Sequence, residues 1–187
     1  MKTRISVTAL LLATTLFAAC GGSSNSGTHP KLDLEDVREA FIECKAETED
    51  IRSCKSYVAR AINGHFQIAD FNHPETKGDY VDYDEIAAIV DASGDWRKVG
   101  EADDQDALDE VQQHANNGKP ALAISTQPGV GNVALIVKGE QVKSTSWGLN
   151  CPTAAIFFPN RPEKSFIGKT LNYAWSNPEG IELYVRD

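Results

Sequence analysis

The sequence predicts an α+β domain, with helices first and an antiparallel sheet after them. Two observations predict it. Up to Asn117 most apolar residues recur at intervals of three and four, the spacing of a helix with one buried face. After Pro120 the interval becomes two, the spacing of strands. Elements of the two kinds are therefore segregated along the chain rather than alternating.

Taken in order, Gly21 to Lys31 is rich in Gly, Ser, Asn and Thr and reads as a flexible tether. Asp33 can cap a helix whose inner face is Leu34, Val37, Phe41 and Cys44. Ser53 to Asn63 reads as a second helix with Cys54 in its first turn, Tyr57, Val58, Ala61 and Ile62 inward, and Asn63-Gly64 as its end. His65 to Asp79 reads as loop. Tyr83 to Ala92 is a third helix, and Asp95 to Val99 a short strand. Asp103 to Asn116 is a fourth helix with Ala107, Leu108, Val111 and Ala115 inward. Strands follow at Ala121–Ser125, Asn132–Val137 and Gln141–Trp147. Residues 148–166 read as loop, with Ala154–Phe158 its apolar part, and Leu171–Trp175 and Ile181–Val185 as further strands.

The N-terminus carries an address. Lys2 and Arg4 precede the apolar run Ile5–Ala19, the make-up of a secretory signal too short to span a bilayer. Its end, Leu16-Phe17-Ala18-Ala19-Cys20, resembles the lipobox of bacterial lipoproteins. The resemblance implies cleavage before Cys20, lipidation of Cys20, and a membrane attachment made by acyl chains alone. Gly21 rather than Asp after that cysteine implies the outer membrane, periplasmic face, of the bacterial envelope. The expected organisation is thus a signal peptide at 1–19, a lipidated tether at 20–31 and a single domain at 32–187. The full chain has a net charge of −9, and loss of Lys2 and Arg4 deepens it by two charges. Such a balance excludes nucleic acid and anionic lipid surfaces as natural partners. No spacing of Cys and His matches a metal site, and none implies a cofactor. Of Cys44, Cys54 and Cys151, one pair at most can bridge in an oxidising compartment. Cys44 with Cys54 and Cys44 with Cys151 are both open at this level.

A helix-borne cysteine, then a Gly-x-Val-Ala-Leu-Ile strand, then a polar strand form one constellation. It is carried by Ser53-Cys54-Lys55-Ser56-Tyr57-Val58, by Gly118-Lys119-Pro120-Ala121-Leu122-Ala123 and by Gly131-Asn132-Val133-Ala134-Leu135-Ile136. This stretch, about residues 50–150, resembles the papain-like CHAP and NlpC-type peptidoglycan amidases and endopeptidases. The resemblance implies a papain-like cysteine hydrolase fold, N-terminal helices packed on an antiparallel β-sheet, with Cys54 as the nucleophile. A histidine opening the second strand would serve as its base. Asn132 stands at that position, and an amide cannot exchange a proton near neutral pH. Ser144, with Ser146 beyond it, falls where the third member of the set belongs. His65, His73 and His114 are the candidates for a substitute base.

The resulting expectation is an envelope lipoprotein with an amidase-like domain directed at peptidoglycan peptides, weakened or inactive because Asn132 replaces histidine. The competing expectation is a non-catalytic module that holds a stem peptide or an envelope protein in the same groove. Trp96, Trp147, Phe157 and Tyr173 are its candidate apolar contacts. A third expectation is a structural domain in which Cys54 is bridged.

Overall fold

The computed structural model describes residues 31–48, 54–127 and 133–187. Among the described residues there are four helices, α1 (Leu34–Glu47), α2 (Tyr57–Phe66), α3 (Ile86–Ala92) and α4 (Gln105–Asn116). The strands are β1 (Trp96–Glu101), β2 (Ala121–Ser125), β3 (Val133–Ile136), β4 (Val142–Lys143), β5 (Asn150–Cys151), β6 (Thr153–Ile156), β7 (Phe166–Thr170) and β8 (Ile181–Arg186). Six of them form one antiparallel sheet in the order β1-β8-β2-β3-β6-β7, and β4 pairs with β5 in a separate ribbon. The α+β class expected from the segregated periods is the one observed.

Local chemistry sets the helix starts. The Asp33 carboxylate accepts from the Glu35 N–H at 2.9 Å, and that of Asp104 accepts from the Asp106 N–H at 3.0 Å. Ahead of α3, a 3-10 turn at Tyr83–Glu85 is closed by a reciprocal capping box between Asp82 and Glu85.

The sheet is covered on both faces, because alternate residues of each strand point opposite ways. Leu122, Ile124, Val133, Leu135, Ala155 and Tyr184 face α1, α2 and α3, where they meet Phe41, Val58, Ile62, Ile86 and Val90. Ala123, Ala134, Ile136, Ala154, Ile156 and Leu183 face α4, where they meet Leu108, Val111 and Ala115, with Trp147, Cys151 and Trp175 in the same core. A strand buried on both faces has no polar side, which is why β2 and β3 are continuous apolar runs. The helices are thus not confined to one face, since α4 alone covers the second.

Several boundaries differ from the sequence expectation. Asn63-Gly64 does not end α2, which runs on to Phe66 and closes on Gln67 in the left-handed conformation, φ 58°. The glycine serves close packing instead: a Cβ there would run into the Leu32 side chain. Gln141–Trp147 is a strand only over Val142–Lys143, because Ser144 begins a turn in which Gly148 N–H donates to its carbonyl at 2.9 Å. The apolar segment after Pro152 is no loop but β6, which is hydrogen-bonded on both sides. Leu171–Tyr173 is a 3-10 turn rather than a strand, and β7 precedes it. The last strand, β8, does not follow the meander; it inserts between β1 and β2.

Candidate functional site

Cys54 lies in a short turn ahead of α2, not within its first helical turn. Its sulfur is bonded to that of Cys44 at 2.06 Å, joining the last turn of α1 to the entrance of α2. This chooses between the two bridges left open by the sequence. Cys54 is 1% exposed, in the core that α2 shares with β2, β3 and β6. A sulfur in a disulfide has no thiolate to direct at an amide carbonyl, so Cys54 is not a nucleophile in this state.

Asn132 lies outside the described residues. Val133, the next residue, belongs to the same core as Cys54. Ser144 is not on a strand beside β3, whose neighbours are β2 and β6. It sits in the turn after β4, where its hydroxyl accepts from the Trp147 N–H at 3.2 Å and pairs with the Ser146 hydroxyl at 3.0 Å. Trp147 belongs to the core on the α4 face of the sheet, and Cys54 to the core on the other. The expectation that Ser144 lies on a strand next to that of Asn132, as the third member of the set, is therefore corrected. The β4–β5 ribbon leaves the main sheet and carries Ser144 away with it.

The histidines are each placed by other contacts. His65 is in the last turn of α2, roughly 12 Å along the helix from Tyr57 at about 1.5 Å per residue, at the end away from Cys54. Burial, with Lys31 and then Lys138 nearby, holds its imidazole below the usual histidine range, against an opposing pull from Asp33. His73 Nδ1 accepts from the N–H groups of Glu75 and Thr76, both at 3.2 Å, so it orders its own loop. His114 is half-buried on α4, and its Nε2 donates to the Arg186 carbonyl at 2.8 Å.

A polar groove of 580 Å³ opens beside the start of α2, lined by Ser56, Tyr57, Arg60, His73, Asp79 and Tyr80 among others. The Arg60 guanidinium lies 5.6 Å from the Tyr57 ring centroid. Close by in sequence, Lys55 is paired with Asp84 and stands 5.3 Å from the Tyr83 ring centroid. The bond to Asp84 raises the Lys55 amine above its ordinary range, so it stays charged. Of the apolar candidates, Trp96, Trp147 and Phe157 are buried core residues, and Tyr173 alone is exposed, at 65%.

Two polar devices hold the loop beside the site, and a third fixes the opposite face of the sheet. Asn63, fully buried in α2, donates to Asn72 Oδ1 at 3.0 Å and accepts from the Phe71 N–H at 3.3 Å. Asp70 receives both the Arg186 guanidinium, at 2.7 and 3.2 Å, and the Trp96 indole N–H at 2.8 Å. Together these tie the loop after α2 to the end of the sheet. Gln112 bonds to Val137 O, Asn116 Oδ1 and Thr153 N on the opposite face. An amide on the apolar stripe of a helix was the legible signal for Asn63 and Gln112.

Cys151 is the free thiol among the described residues, and it is buried in the α4-side core. Burial pushes its thiol above the ordinary range, against opposing bonds from the Asn172 backbone and the Ser144 side chain. No three His, Cys, Asp or Glu side chains among the described residues converge to hold a metal ion. Nor is any described helix long and apolar enough to cross a membrane. No protein-family model and no curated protein matches the chain.

Proposed function

We propose that this chain is a lipid-tethered protein of the bacterial envelope whose domain has the papain-like arrangement and holds peptidoglycan stem peptides without cutting them. The observation that carries this reading is the Cys44–Cys54 disulfide, which occupies the sulfur just ahead of α2, the helix whose start lines the polar groove through Ser56, Tyr57 and Arg60. Two further features support it. Asn132 stands where the hydrolases that the sequence resembles carry a histidine, and Val133 beside it shares a core with Cys54. The groove offers Arg60 to a carboxylate and Asp79 and Asp82 to an amine, the two charged groups of a short peptide. The lipid on Cys20 would keep that groove close to the wall.

The test is cosedimentation of the purified chain with isolated peptidoglycan, with the supernatant analysed for soluble stem peptides. The oxidised chain is expected to sediment with the wall and release nothing, and Arg60→Ala to weaken retention. Release of peptides by the oxidised chain would overturn the non-catalytic reading, and absence of retention would leave a structural domain. Labelled fatty acid should enter the wild-type precursor and not Cys20→Ser; equal labelling would remove the anchor.

A further inference from the structure

We propose that Cys44 is a modification site, the sulfur at which an external thiol opens the Cys44–Cys54 bridge, with Cys54 departing as thiolate. The proposal rests on the bridge and its surroundings, so it stands whether or not the domain grips the cell wall.

Access is unequal at the two sulfurs. Cys44 is half-buried near the end of α1 and lines a surface recess of 400 Å³ with Glu43, Glu47 and Tyr57. Cys54 is 1% exposed, among the apolar side chains of the core. An attacking thiolate must reach the sulfur it bonds to, and of the two residues Cys44 is the one that lines a recess open to solvent.

Charge stabilisation of the departing sulfur is unequal in the same sense. Cys44 sits in the last turn of α1, where the carbonyl ends carry partial negative charge; Glu43 and Glu47 line the recess with it, against the single cation Lys45 of that turn. Cys54 precedes the first turn of α2, where the N–H ends carry partial positive charge. A thiolate is better accommodated at residue 54 than at residue 44, and the better-accommodated thiolate leaves faster. Access and leaving-group chemistry therefore select the same direction of exchange.

The step balances without further reagents. The incoming thiolate forms a bond to Cys44 Sγ, the Cys44–Cys54 bond breaks, and its electron pair goes to Cys54 Sγ. If the attacker is a dithiol, its second thiolate then attacks its own sulfur in the mixed disulfide and releases Cys44. The dithiol is thereby oxidised and the bridge reduced by two electrons, with two protons taken up. Cys151 cannot take part from within the chain, because it lies in the core on the other face of the sheet.

The experiment is a brief exposure of the folded chain to 2-mercaptoethanol near neutral pH. It is quenched in acid, alkylated in urea, and mapped by peptide mass spectrometry. The expected product carries the mercaptoethanol adduct on Cys44 and the alkyl group on Cys54, in excess of the reverse product by at least roughly tenfold. Glu43→Gln with Glu47→Gln should speed exchange with glutathione, an anionic thiol, more than with mercaptoethanol. An adduct mainly on Cys54, or equal partition, would overturn the proposal. So would no exchange in the folded chain under conditions that open the bridge in the urea-unfolded one.

Discussion

Cys44→Ser isolates what the bridge contributes to stability. The substitution removes a sulfur that is half-buried near the end of α1, so little packing is lost with it. The bridge spans a sequence separation of 10. Closing a loop of that length removes about 9 cal/mol/K of entropy from the unfolded chain, or ~2.7 kcal/mol at 25 °C. For a domain of this size such a loss lowers Tm by about 5–11 °C. The assay is thermal and urea unfolding followed by far-UV circular dichroism, on wild type, on reduced wild type and on Cys44→Ser. The variant and the reduced wild type should fall together. The urea slope should rise slightly in both, because the unfolded chain expands when the loop opens. A loss below about 1 kcal/mol in both would refute the loop-closure reasoning. A much larger loss in the variant than on reduction would instead show that residue 44 contributes through packing.

Three other substitutions test the fold that positions the site. Gly64→Ala should destabilise by about 1–3 kcal/mol, although alanine is the better helix former, because its Cβ would collide with Leu32; a more stable variant would show that Leu32 yields freely. Gln112→Leu should cost about 2–4 kcal/mol in urea unfolding, since it strips partners from the Val137 carbonyl and the Thr153 N–H in a buried site; a neutral result would mean water replaces them. Lys98, and then the Tyr184 hydroxyl, hold the Glu182 carboxyl below its ordinary value of 4.5. A carboxylate depressed in the folded state stabilises above its unfolded value and loses that contribution as pH falls through the folded one. Wild type and Glu182→Gln should therefore differ in Tm above pH 4.5 and draw together as the pH falls below it through the lower, folded-state value. A difference in Tm that does not shrink at all as the pH is lowered through the acid range would refute the assignment.

Local periodicity determined much of the fold by itself. The cap at Asp33, the inner faces of α1 and α4, and the strands β1, β2 and β8 follow from residue type and spacing, because a helix or strand buries whichever stripe its period lines up. The bridge was legible only as one of several pairings, since sequence separation does not say which sulfurs meet. Asn63-Gly64 was misleading for a comparable reason: the same dipeptide that ends an isolated helix can continue a packed one when another segment presses on it.

What the tertiary structure alone decided lies at longer range. The sheet order, with β8 between β1 and β2, brings Arg186 to Asp70 across most of the chain. Departure of the β4–β5 ribbon from the main sheet moves Ser144 to the opposite face from Cys54. Folding also brought Cys44 beside Cys54 and left Cys151 sealed under α4. Such pairings depend on which faces are covered and in what order strands add to a sheet. Those are properties of the assembled layers, and no window of consecutive residues contains them.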